Sequence, residues 1–231
     1  MEENIYVKKQ FMLGGKKITV YPSVFPDMPV VYLNTFSEEG DKIYHELHKK
    51  QCPEFTLVAI SSLAWNHDMA PWDIPQISMS DTPCTGGADE YLKLLVHEIV
   101  PEAERFTKGK PIWRGLAGYS LAGLFAVYAI YHTNIFSRIG SMSGSLWFPD
   151  FREYVISHEM EYRPEHIYFS LGDKEYKTKN PILKTVQENT DAIKEFYTKN
   201  GIDIFFQQNS GGHFKDNIGR TSAGIEWLLS R

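Results

Sequence analysis

A serine, a histidine and a choice of two carboxylates are spaced along this chain as the parts of a nucleophilic catalyst would be. Ser120 lies in the run Gly118-Tyr119-Ser120-Leu121-Ala122-Gly123. Ile112, Trp113, Leu116 and Ala117 before it read as a buried strand. Leu121, Leu124, Phe125, Val127, Tyr128, Ile130 and Tyr131 after it read as an apolar helix. A serine at a tight strand-to-helix turn sits on a strained backbone, hydroxyl outward, with a helix N-terminus beneath it. Gly118 and Ala122 flank it two places away and Gly123 follows. Larger side chains there would collide as strand and helix fold back on each other. The pattern is a nucleophile elbow with Ala122 in place of the usual second glycine.

A serine hydroxyl is a poor nucleophile alone; it needs a base, and the base needs a third group to orient it. His213, in Ser210-Gly211-Gly212-His213-Phe214, follows the last predicted strand in a glycine-rich turn whose two glycines let the imidazole reach toward Ser120. Strand ends are where open α/β sheets place ligands and chemistry. The acid is expected after the strand between these two, where Leu171-Gly172-Asp173-Lys174-Glu175 offers both Asp173 and Glu175. The order serine, acid, histidine is the hydrolase order, and each separation leaves room for one strand–helix unit. A lone match to either motif is weak evidence, whereas the joint placement is specific. The other seven histidines, including His67, His97 and His132, lack a comparable setting.

Attack on a carbonyl also requires donors for the resulting oxyanion. The Leu121 N–H, at the helix N-terminus after the nucleophile, is one. The Phe36 N–H, in the loop Asn34-Thr35-Phe36 after an earlier strand, is the favoured second. No metal or cofactor is expected. The histidines lack ligand spacing, Cys52 and Cys84 form no C-x-x-C pair and read as reduced thiols, and there is no G-x-G-x-x-G or P-loop.

The elements that must carry these residues follow from pattern. Residues 5–12 and 17–22 read as two strands about the turn Leu13-Gly14-Gly15-Lys16, an antiparallel hairpin. Val30–Leu33 is a short apolar run of the kind buried on both faces of a sheet, Phe55–Ile60 and Ile167–Leu171 read as further buried strands, Arg138–Met142 as a short strand and Ile202–Gln207 as the last one. Helices are expected over 41–50, 88–100, from the elbow to about 133, 149–160, from Asn180-Pro181 to Asn200-Gly201, and at the C-terminus. Ile182, Leu183, Val186, Ile193, Phe196 and Tyr197 are the expected buried stripe of the penultimate helix. Residues 61–86 form a long irregular stretch, and such a stretch is usually functional. The alternation implies a mostly parallel sheet with helices on both faces.

At 231 residues and 42% hydrophobic content the chain suits one domain over 1–231, with no separate lid domain. The net charge of −5, with no Lys/Arg block, argues against nucleic acid. No apolar run is long enough for a bilayer and the acidic start is unlike a signal peptide, so a cytoplasmic protein is expected. A homodimer is left open.

Several stretches together resemble the esterase D and enterochelin-esterase-like family of α/β-hydrolases. They are Val31-Tyr32-Leu33-Asn34, Trp65-Asn66-His67-Asp68-Met69-Ala70-Pro71-Trp72, the elbow at Ser120, Ser141-Met142-Ser143-Gly144-Ser145-Leu146-Trp147, Gly172-Asp173-Lys174-Glu175 and Gly212-His213. The resemblance implies an α/β-hydrolase fold and a serine esterase without cofactor. Its substrates would be small-molecule esters of sugars, aromatic acids or siderophore-like compounds. It favours Glu175 over Asp173 as the acid and places the first oxyanion donor at or near Phe36. Siderophore esterases often carry basic residues in the stretch matching 65–72; here that stretch is nearly neutral. Trp65, Trp72 and Trp147 are candidates for stacking on an aromatic or sugar group, with ordinary packing under a long loop as the competing reading. An acyltransferase on the same residues is the alternative function. A non-catalytic binding protein is a third and less favoured one, since such proteins usually lose the serine or the histidine.

Overall fold

A computed structural model describes residues 8–78 and 82–231. Residues 5–7 of the first expected strand and 79–81 of the long irregular stretch lie outside the described residues.

Strands β1 (Lys9–Leu13) and β2 (Lys16–Tyr21) form the expected hairpin, with Gly14 and Gly15 both at positive φ (55° and 76°) in the two-residue turn. β3 (Val30–Asn34) and β4 (Thr56–Ser61), buried at every position, flank α1 (Gly40–Lys49). The irregular stretch holds one turn of helix, α2 (Trp65–Asp68), and a two-residue ladder of β5 (Asp73–Ile74) with β6 (Cys84–Thr85). α3 (Ala88–Leu94) does not stop near 100 as expected. It widens into a π-helical segment, Leu95–Ile99, and continues as α4 (Val100–Glu104). Pro101 explains the widening, because a proline lacks an N–H and its ring crowds the carbonyl four residues back.

β7 (Arg114–Tyr119) and α5 (Leu121–Ala129) carry the elbow. Ile112, expected in the strand, precedes it and is exposed. β8 (Arg138–Met142), α6 (Phe151–Ser157) and β9 (His166–Gly172) follow. Asn180-Pro181 does not open the long helix. The Asn180 Oδ1 accepts the Ile182 and Leu183 N–H groups at 2.9 and 3.2 Å, capping only a 3₁₀ turn (Leu183–Thr185), and α7 (Val186–Lys199) starts after it. Ile182 therefore falls outside the buried stripe and is exposed. β10 (Asp203–Asn209) and α8 (Asn217–Leu229) complete the chain.

The eight-stranded sheet has the order β1-β2-β4-β3-β7-β8-β9-β10. β2 runs against both its neighbours, and every other pair is parallel. Alternate strand residues feed two cores. Val30 and Tyr32 pack with α3 and α5 on one face, and Val31 and Leu33 with α1 and α8 on the other. Because β3, β7, β8, β9 and β10 point the same way, the loops after them share one rim of the sheet. Among the described residues, no helix is long and apolar enough to cross a membrane.

Candidate active site

The rim is built around the break between β7 and α5. Ser120 stands alone between them at φ 61° and ψ −125°, a region that non-glycine residues adopt only when their surroundings force them. The forcing contacts are visible. The Ser120 carbonyl accepts the N–H groups of Gly123, Leu124 and Ser145 at 3.0, 3.1 and 3.0 Å. A Cβ on Gly118 would come 2.5 Å from the Ala122 backbone, and one on Gly123 3.0 Å from the Gly144 Cα, so the small residues are sterically required.

Three side chains from distant loops meet there. His213 Nε2 lies 3.0 Å from Ser120 Oγ, and His213 Nδ1 lies 2.8 Å from Glu175 Oε2. Asp173 does not reach the imidazole. It is exposed, and its Oδ1 accepts the Gly211 N–H at 2.6 Å, so it holds the histidine loop instead. Of the two loop glycines, Gly211 is the one whose backbone demands it, at φ 101°, while a Cβ on Gly212 would meet nothing within 4 Å.

The Glu175 side chain is 4% exposed. Burial raises its pKa. The His213 hydrogen bond and charge, the Gly172 N–H and the Ser143 hydroxyl more than offset burial, and the carboxyl is held below its usual range. Its two oxygens have different work. Oε1 accepts from the Gly172 N–H (2.6 Å), the Ser143 hydroxyl (2.8 Å) and the Arg220 guanidinium (3.0 Å), which leaves Oε2 facing the imidazole. Arg220 is equally buried. It also donates to Ser143 Oγ and the Tyr119 hydroxyl, and through Nη2 to the carbonyls of Ser210 and Gly212. The Tyr119 hydroxyl donates to the His213 carbonyl. Burial raises the Tyr119 pKa.

A two-lobed cleft opens over Ser120 and His213. One lobe, of about 280 Å³, is walled by Leu33, Asn34, Phe36, Ile43, Tyr119 and Ile218. The other, of about 440 Å³, is walled by Pro75, Ile77, Leu121, Ser145, Trp147 and Val186. Trp65 and Phe214 border both, and no lysine or arginine is among the described lining residues. Trp65 and Trp147 thus face the cleft. Trp72 does not. Its indole donates to the Pro149 carbonyl at 3.2 Å and packs on Phe148, Phe151 and Tyr154, the packing alternative for that residue. Phe36 sits at the mouth with its ring exposed, 5.2 Å from Trp65 edge to face. Leu121 opens α5, where first-turn N–H groups lack intrahelical acceptors.

Sequence reasoning missed Arg220, Ser143 and Ser145. Arg220 had a signal: it precedes Gly224 and Leu228 at helical spacing, a charged residue on an otherwise apolar stripe. The two serines lie in the stretch Ser141–Trp147 that carries the family resemblance, but the resemblance assigned neither of them a role.

A family model described as Putative esterase matches residues 31–216. The protein YbbA of Bacillus subtilis (strain 168) is 24% identical over 235 residues, covering 94% of each chain. Among solved structures, the siderophore hydrolase EstA from Aspergillus nidulans superposes with a TM-score of 0.74 at 17% identity, over 97% of this chain and 94% of its own. An IroE-like serine hydrolase from Shewanella oneidensis gives a TM-score of 0.77 at 18% identity, over 97% and 80%. At such identities these likenesses establish the α/β-hydrolase fold. With the family match over most of its length, the chain belongs to the Putative esterase family and is a carboxylic ester hydrolase.

Proposed function

We propose that Ser120, His213 and Glu175 form the catalytic triad of this esterase and that it works through an acyl-enzyme. The observation that carries the reading is the unbroken chain of contacts from Ser120 Oγ to His213 Nε2 at 3.0 Å and from Nδ1 to Glu175 Oε2 at 2.8 Å. His213 takes the Ser120 proton as Oγ attacks the acyl carbon. The Leu121 and Phe36 N–H groups receive the oxyanion. His213 then protonates the departing alcohol, and water attacks the acyl-enzyme by the same route. Glu175 keeps the imidazole in the tautomer with Nδ1 protonated. No step draws on a metal or cofactor.

The substrate is a small-molecule ester with substance on both sides of the scissile bond, one half in each lobe. Esters of sugars, aromatic acids or siderophore-like compounds fit this description. The siderophore class is the one EstA is named for, and Trp65 and Trp147 offer rings for stacking. The reading takes residues 1–231 as one esterase domain working in the cytoplasm. Ser120→Ala tests it: hydrolysis of a short p-nitrophenyl ester should fall to background while the melting temperature is maintained. Labelling of the wild-type chain by a fluorophosphonate should map to Ser120. Full turnover in the variant removes Ser120 from the reaction.

A further inference from the structure

We infer that Ser145 is a further catalytic residue, whose hydroxyl donates a hydrogen bond to the nucleophilic oxygen of Ser120 while that oxygen forms and breaks its bond to the acyl carbon. The inference rests on the reading of Ser120 as nucleophile.

Ser145 is 1% exposed, and its Oγ lies 3.3 Å from Ser120 Oγ. Its position is built. After β8 the chain turns at Ser143, φ 46°, and Gly144, where a Cβ would come 2.1 Å from Ser141 Oγ. Gly144 lies against Gly123 in the first turn of α5, and the Ser145 N–H is bonded to the Ser120 carbonyl at 3.0 Å. Backbone and hydroxyl of Ser145 therefore both address Ser120.

Proton counting fixes the direction of the hydroxyl bond. With Nδ1 protonated toward Glu175, His213 Nε2 is an acceptor, and the single Ser120 proton is committed to it. Toward Ser145, Ser120 Oγ can then only accept, so Ser145 donates. Oγ has two lone pairs. One attacks the acyl carbon as the hydroxyl proton passes to Nε2 and the carbonyl π pair moves to the carbonyl oxygen. The other stays with the Ser145 hydroxyl, which keeps its own proton throughout. In deacylation the water proton passes to Nε2 and the water oxygen attacks. The carbonyl then re-forms, the C–Oγ bond breaks with its electron pair going to Oγ, and the Nε2 proton returns there. Charge builds on Oγ in both passages, and a hydrogen bond to a charged oxygen is stronger than one to a neutral oxygen.

Three chains test this: wild type, Ser145→Ala, and Ser145→Cys, which restores the volume with a much weaker donor. Each is assayed for p-nitrophenyl acetate hydrolysis, for the rate of fluorophosphonate labelling and for melting temperature. Labelling also forms a bond to Oγ. Both variants should lose about tenfold or more in kcat, with KM within about twofold, and labelling should slow in the same proportion. Wild-type rates in Ser145→Cys overturn the proposal in favour of packing, as do wild-type rates in a folded Ser145→Ala. If Ser145→Ala does not fold, the cysteine variant decides alone. A wild-type chain that neither labels nor turns over any ester overturns the nucleophile assignment itself, and with it this inference. A labelled wild type beside equally labelled variants overturns only the role of Ser145.

Discussion

Arg114 opens β7 and Tyr119 closes it, and near each end of that strand a glutamate is bound to an arginine. At the opening end Glu104 takes the Arg114 guanidinium on both oxygens, at 2.6 and 2.8 Å, and adds the Tyr32 hydroxyl at 2.9 Å. At the closing end Arg220 binds one oxygen of Glu175, and its other nitrogen goes to two carbonyls of the histidine loop. The first pair is closed on itself. The second ties the Glu175 loop to the His213 loop and leaves a carboxylate oxygen for an imidazole at the cleft. The pairing of types is the same in both, so an ion pair says little about function. The oxygen left over, and what it faces, says more.

The difference can be broken or sharpened by substitution. Glu175→Gln keeps the shape but removes the charge that, on the proposed mechanism, holds the His213 tautomer, and kcat should fall by about 10³–10⁴-fold. A loss under tenfold in steady-state kinetics would erase the distinction between the two ends. Arg220→Met should act on both levels. It leaves a buried carboxylate short of its cation, costing about 3 kcal/mol in denaturant unfolding, and it frees the histidine loop, costing up to about 10²-fold in kcat. Glu104→Gln should cost stability alone, about 2 kcal/mol because that pair is partly open to water, with kcat unchanged. A matching loss of activity would make the two ends equivalent.

The smallest effect is in acid. The Glu175 pKa is lowered on folding, so its stabilising contribution is complete above the unfolded value of about 4.3 and disappears as pH falls through the lower folded value. Unfolding curves of wild type and Glu175→Gln should therefore converge below about pH 4. Curves that stay parallel to lower pH would assign the acid sensitivity to other carboxylates.

What could be read from the sequence, and what could not, divides by range. The elbow was legible because its constraint is local: strand and helix meet at Ser120, and the small residues two places away record the collision they avoid. Parallel strands were legible as apolar runs, and their shared polarity was enough to bring the loops of Ser120, Glu175 and His213 to one rim. The choice between Asp173 and Glu175 was not settled by the strand end, since both follow it. The structure separates them by which carboxylate reaches over the turn and which bonds the Gly211 N–H. Trp72 and Trp65 belong to one stretch and have one chemistry, yet one is packed under α6 and the other borders the cleft. Only the packing partners, far away in the chain, decide that. The start of α7 was missed because an asparagine followed by proline caps a 3₁₀ turn as readily as an α-helix.

The backbone at position 120 has an evolutionary consequence. Its torsion angles suit glycine, so folding by itself pulls that codon away from serine, and on the proposed mechanism only selection for turnover holds it in place. A lineage released from that selection should lose its hydroxyl early and gain a sturdier turn, which makes this position a sensitive record of whether a descendant of this chain still works for its living.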